Sequence, residues 1–162
     1  MNEKLLIIQM TELVQRHFLT LLRETAPEKL EWQIHENGRS MIQIAREVAQ
    51  SPVIVALILR QRGVEFYDAE TGLEFLRDRQ TMETLEDCEN ELEQNWNVLR
   101  EEILALPDEL LEHKICLRSR PGRPYSMLEV MAFHHWNTLY HLGQVAYIQT
   151  LYGDQEMHWP LA

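Results

Sequence analysis

Apolar positions recur with an α-helical period in four long stretches, separated by polar segments marked by proline or glycine. Over residues 2–24, Leu6, Met10, Leu13, Val14, His17, Phe18 and Leu21 fall on one broad face, and Pro27 closes the element. A second helix is predicted over 40–62. Ile44, Val48, Ile54, Val55 and Ile58 line its apolar side, Ser40 with Gln43 forms a capping box, and Gly63 follows its end. The third, over 84–106, carries the stripe Leu85, Cys88, Leu92, Trp96, Leu99 and Ile103 and stops at Pro107. The fourth, over 126–152, opens on a Ser126–Glu129 capping box and ends at Gly153. Four amphipathic helices within one domain, 1–162, predict an all-α four-helix bundle. The connections 25–39, 64–83 and 107–125 are long for tight hairpins, which leaves room for a crossover. Residues 120–124 must be irregular, and 114–118 fit a short extended piece. The tail after Gly153 keeps Met157, Trp159, Pro160 and Leu161, which suit packing onto the bundle or contact with a partner.

Composition narrows the function more than the fold. The chain has 162 residues, 45% apolar and 25% charged, as in ordinary soluble domains. Its formal net charge of -11 repels phosphate backbones, and no basic stripe offsets it, so nucleic acid is not expected as a partner. The densest basic stretch is Arg118, Arg120 and Arg123. It could receive a carboxylate or phosphate, and the simpler reading is a solvated loop paired with nearby acids. Cys88 and Cys116 form no C-x-x-C motif or disulfide framework and read as free thiols in a reducing compartment. The longest wholly apolar run, Val53 to Leu59, is far short of a membrane span, and no signal peptide is evident. A cytoplasmic protein without membrane attachment is expected.

The chemistry is concentrated on the fourth helix. His134, Asn137, His141 and Gln144 are spaced to form one line, with His135, Thr138 and Leu142 on a line about 100 degrees away. Val130, Val145 and Ile148 neighbour the first line, so it reads as inward-facing. Buried polar groups in such a row need hydrogen-bond partners, water or a metal. Glu47, beside Ile44 and Ser51 on the second helix, is the carboxylate best placed to meet them. Buried alone it would be protonated, whereas opposite an imidazole or a divalent cation it is stable. His17 is a further candidate, though a single inward histidine is more often a satisfied core residue. His134 and His135 are adjacent and cannot face the same way. Histidine and carboxylate donors suit zinc, nickel, iron or manganese, and Gln144 could orient a ligand or a bound water. No H-E-x-x-H, P-loop, G-x-S-x-G or dinucleotide fingerprint occurs.

The run Tyr140-His141-Leu142-Gly143-Gln144-Val145-Ala146-Tyr147-Ile148 resembles the signature of the DinB/YfiT-like superfamily. That family typically reads His-x-x-x-His-(Arg/Leu)-Gly-Gln on its last bundle helix. The resemblance extends along nearly the whole chain in helix order and spacing. It implies an up-down-down-up bundle, a homodimer, and a divalent metal held in the family by three histidines. His141 matches the histidine before Gly-Gln. Asn137 stands where the family has its preceding histidine, and Glu47 stands where it has the histidine of the second helix. The ligand set implied here is therefore Glu47, Asn137 and His141, with two of three imidazoles replaced.

Two readings follow. In the first, the protein binds a divalent metal and acts as a hydrolase or a low-molecular-weight-thiol transferase. His134 is then the candidate acid or base, and an anionic or thiol small molecule is the substrate. In the second, no metal is bound, Glu47, Asn137 and His141 form a direct hydrogen-bond network, and the bundle is a non-catalytic dimer with a stress-response or ligand-sequestering role.

Overall fold

The computed structural model describes residues 2–61, 82–117, 122–156 and 158. Gly63, Arg118, Arg120 and the tail residues Met157, Trp159, Pro160 and Leu161 lie outside the described residues. Four long helices carry the core: α1 (Glu3–Arg23), α3 (Met41–Gln61), α4 (Leu85–Ala105) and α6 (Phe133–Leu151). The described residues also hold two short helices, α2 (Pro27–Leu30) and α5 (Met127–Met131), a 3-10 turn at Asp108–Leu110, and a small antiparallel ribbon of β1 (Lys114–Cys116) with β2 (Pro124–Ser126).

The local signals act as expected at most boundaries. Ser40 and Gln43 exchange backbone and side-chain hydrogen bonds at the start of α3, and Ser126 and Glu129 do so at α5. Thr84 and Asp87 make a third reciprocal box at α4. The helix expected over 126–152 is two helices, because the chain makes a tight turn at Ala132, whose N–H bonds the Glu129 carbonyl at 3.1 Å. Ile115 pairs with Tyr125 across the ribbon, within the region expected to be short and extended.

The face expected for α1 is corrected. Its buried positions include Ile8, Thr11, Val14, Gln15, Phe18, Leu21 and Leu22, whereas Met10 and Leu13 are exposed. Thr11 and Gln15 are polar and still face inward because both are satisfied. The Thr11 hydroxyl donates to the Ile7 carbonyl at 2.7 Å, and Gln15 bonds His134 at 2.8 Å.

Contacts between side chains give the helix directions. Arg23 binds Glu89 at 2.7 Å and Arg100 approaches Glu12 at 3.7 Å, so α1 and α4 run oppositely. Asn95 donates to the Ala49 carbonyl and Arg60 binds Glu102, so α3 and α4 run the same way. Gln15 meets His134 while Gln149 donates to the Leu21 carbonyl, so α1 and α6 also run the same way. Consecutive helices that run parallel cannot be joined by a tight hairpin, which accounts for the length of sequence between α3 and α4. Around the bundle, α6 lies between α1 and α3. Met41–Gln61 is long and apolar enough to cross a membrane, and 61% of its most apolar window is buried inside the bundle, as in a core helix.

Candidate metal centre

His134 and His141 are both buried on the inner side of α6, two turns apart. Facing them, α3 presents Ser51 and Glu47 in the opposite order, as two antiparallel helices must. The result is a polar seam through an otherwise apolar interface.

At one end, Glu47 and His141 meet although 94 residues separate them. Glu47 Oε1 lies 3.1 Å from His141 Nε2, and Glu47 Oε2 is paired with the Arg39 guanidinium. The His141 side chain is 3% exposed and that of Glu47 21%, so the pair lies just beneath the surface. The His141 hydrogen bond, outweighing partial burial and assisted by Arg39, holds the Glu47 carboxyl down at about 2. It is therefore ionised at neutral pH, the state a ligand carboxylate needs.

The other ring nitrogen of His141 adds a constraint. Nδ1 lies 2.6 Å from Gln144 Oε1, and Gln144 Nε2 donates to the Tyr140 hydroxyl at 3.1 Å. A carbonyl oxygen on Nδ1 requires Nδ1–H. The lone pair on Nε2 then faces a carboxylate oxygen, and two acceptors in that position need a proton or a cation between them. Rotating the Gln144 amide by half a turn would instead leave Nε2–H free to donate to Glu47. Two donors on one zinc-sized ion stand roughly 3.0–3.5 Å apart, so the observed separation suits both arrangements.

Asn137 supplies a second constraint. It sits one turn before His141, on the flank of α6 that also carries Gln144, and its Oδ1 is buried without a hydrogen-bond partner. An orphaned amide oxygen costs about 1–3 kcal/mol. A cation beside it would remove that cost. The donor set of one imidazole, one carboxylate and one amide oxygen fits a hard or borderline divalent ion. Among the described residues, no group of three His, Cys, Asp or Glu side chains converges as a metal cluster.

His134, the residue expected as acid or base, occupies the other end of the seam. It is fully buried and joins all four long helices. One ring nitrogen bonds Gln15 of α1, the other bonds Ser51 of α3, and the ring lies 5.9 Å from that of Trp96 on α4. Burial pushes its pKa down to about 3. A neutral ring accepting from Gln15 and donating through Nδ1–H to Ser51 leaves the Ser51 hydroxyl free to donate to the Val48 carbonyl at 3.2 Å. Every partner is then satisfied without a charge.

His17 is partly buried on α1, and His135 Nδ1 is buried without a hydrogen-bond partner among the described residues. Arg123 lies 4.7 Å over the Tyr125 ring and 3.7 Å from Glu129. Arg39 and Tyr140 escape the sequence reading. Arg39 precedes the α3 cap by one residue, but it lies in an irregular connection whose path no periodicity reveals. Tyr140 reads as packing, yet its hydroxyl ends the chain that orients His141. A cleft of about 530 Å³ lies between α1 and α4, lined by residues including Gln15, Arg16, Asn97 and Trp96. None of Glu47, Asn137 and His141 lines it.

The architecture matches a solved structure, YfiT from Bacillus subtilis, with a TM-score of 0.74 and 13% sequence identity. The match covers 93% of this chain and 87% of that one. The chain has the YfiT fold. The resemblance read from the last helix therefore holds for the architecture. YfiT is described as a probable metal-dependent hydrolase with an unusual four-helix bundle topology. No family model matches the chain, and no curated protein matches it.

Proposed function

We propose that the protein binds a divalent metal through Glu47, His141 and Asn137, and that this centre serves hydrolysis as YfiT's is described to do. The observation that carries the proposal is the meeting of Glu47 Oε1 and His141 Nε2 at 3.1 Å, with Gln144 on the opposite ring nitrogen. With its carbonyl on Nδ1, Gln144 would hold the imidazole in the tautomer a metal ligand needs, and Tyr140 steadies Gln144. The unpaired Asn137 oxygen, one turn before His141, would supply the third donor. Arg39 holds the second carboxylate oxygen and limits Glu47 to one donor atom. A bound divalent ion would act as a Lewis acid and lower the pKa of a coordinated water. His134 belongs to this reading as a positioning residue, since its ring has no open face and stays neutral.

Transfer of a small thiol is the finer variant of the same reading, with a thiol in place of water. A homodimer in a reducing cytoplasm accompanies both. Elemental analysis of protein purified without chelator tests the proposal. About one zinc, nickel, iron or manganese per chain is expected, and Glu47→Ala and His141→Ala should each abolish it while circular dichroism stays helical. Titrating metal into the apoprotein should also raise Tm, by linkage. A folded protein that carries no metal and shows no Tm change with any of the four ions would leave the direct hydrogen-bond network as the correct account.

A further inference from the structure

Helices α1 and α4 are pinned to each other at two places and part between them. At one end the Arg23 guanidinium bonds both carboxylate oxygens of Glu89, at 2.7 and 3.0 Å. At the other, Arg100 approaches Glu12 at 3.7 Å. The cleft of about 530 Å³ lies between these pairs and has the size of a small-molecule site. Because the helices are antiparallel, the two pairs set the register along it. Arg16 stands level with Trp96 and Asn97, and Glu93 lies one turn nearer the Arg23–Glu89 end.

The floor of the cleft holds two buried side chains with unused hydrogen-bonding capacity. Gln15 is 8% exposed and Trp96 7%. The Gln15 amide nitrogen is engaged by His134, which leaves its oxygen an acceptor without a partner among the described residues. The Trp96 indole N–H, which can only donate, has no acceptor among them either, and its ring is backed by that of His134. Neither atom is sealed inside the protein, so both open on the cleft that these residues line. Buried polar groups of this kind normally have a partner. An acceptor on one helix and a donor on the other, at one level, match the N–H and C=O of an amide.

The walls carry charge that the protein does not pair. Among the described residues, the Arg16 guanidinium and the Glu93 carboxylate make no ion pair, although Arg23, Arg100, Glu12 and Glu89 around them do. Three arginines against three glutamates leave the cleft without net charge, in a chain of formal charge -11. A lone anion or cation gains little from that balance, whereas a zwitterion uses both walls. Arg16 and Glu93 are offset along the cleft by roughly 4–5 Å of helical rise, to which the width of the cleft adds. The ammonium and carboxylate of a single amino acid are closer together than that, and those of a dipeptide, at about 3.5 Å per residue, span it. Leu19 and Leu92 supply apolar surface for a side chain.

We propose that the α1–α4 cleft binds a zwitterionic dipeptide, with its carboxylate on Arg16, its ammonium on Glu93 and its peptide group between Gln15 and the Trp96 indole. None of Glu47, Asn137 and His141 takes part, so the proposal stands independently of the metal reading.

Titrating the full chain with alanyl-leucine while following the Trp96 indole N–H by NMR tests it, with Trp96→Phe assigning the signal. A saturable shift with a Kd of about 1 mM or tighter is expected for a ligand of this size. N-acetyl-alanyl-leucine and alanyl-leucine amide should each bind about tenfold more weakly, because each lacks one charge. Arg16→Gln should weaken alanyl-leucine to the level of the amide and leave the amide itself unchanged. Glu93→Gln should do the same toward the N-acetyl form. Both side chains are exposed and unpaired among the described residues, so both variants should keep the helical spectrum and Tm. The absence of a saturable shift up to roughly 20 mM overturns the proposal, and so does binding that the two substitutions or the two blocked peptides leave unaltered.

Discussion

His134 shows how far the role of one side chain depends on its surroundings. In sequence it is one of three histidines grouped on a helix. In the fold it is the point where α1, α3, α4 and α6 meet. Replacing it with alanine would leave a cavity and remove a hydrogen bond from each of Gln15 and Ser51. His134→Ala is expected to cost about 3–4 kcal/mol in urea denaturation at pH 7.5. Ser51→Ala should cost about 1 kcal/mol, because it removes one hydrogen bond and leaves little space. Metal content in Ser51→Ala should match the natural protein, since Ser51 touches His134 and not the Glu47–His141 pair. Glu47 is the converse case. Hydropathy gives no warning of its half-buried position, but its place beside Ile44 and Ser51 on a helical wheel does.

Among the elements, the sequence makes the helices far more legible than their faces. The stripe of α4 and the serine boxes of α3 and α5 are readable because each signal is local: period, cap and terminator lie within one element. The face of α1 is misread because Thr11 and Gln15 look like solvent positions, and their partners are remote or invisible to hydropathy. Met10 and Leu13 look like core and are exposed. The turn at Ala132 escapes because alanine carries no breaking signal. Glu47 and His141 are legible for a different reason: both are polar residues on apolar stripes. Arg39 is not, since only the folded path of the 25–39 connection brings it to Glu47. Gly143 belongs to this scale too. Gly143→Ala should raise stability by about 0.5–1 kcal/mol, because alanine favours the helix and its methyl meets nothing. Equilibrium urea denaturation reads the effect, and a Gly143→Ala protein that is less stable would point to a packing constraint inside the bundle.

For the whole molecule, the polar seam makes stability depend on pH in two windows that overlap below pH 4.5. His134 has a folded pKa of about 3 against an ordinary value of 6.5, lowered by burial and then by the neighbouring His135. Between those values the unfolded chain binds a proton that the native state refuses. Stability therefore rises with pH across this window, is complete above about 6.5, and falls as the solution is acidified. One such proton gives a slope of about 1.4 kcal/mol per pH unit, so roughly 2.5 kcal/mol is lost by pH 4.5. His135 is shifted the same way by burial and adds a smaller slope of the same sign. Glu47 enters later. Its folded pKa of about 2 against 4.5 means that its contribution is intact above pH 4.5 and is lost as pH falls through the lower window. A loss of 2.5 kcal/mol is a large part of the ~5–15 kcal/mol that holds a domain of this size together. Urea denaturation of the metal-free protein at half-unit steps from pH 7.5 to 4.5 should show the upper slope. His134→Gln should flatten it by about one proton, and Glu47→Gln should leave it unaltered and change only the limb below pH 4.5. An upper slope that persists in full in His134→Gln would mean that the buried imidazole is not the group that titrates, and that the neutral four-helix junction drawn around it is wrong.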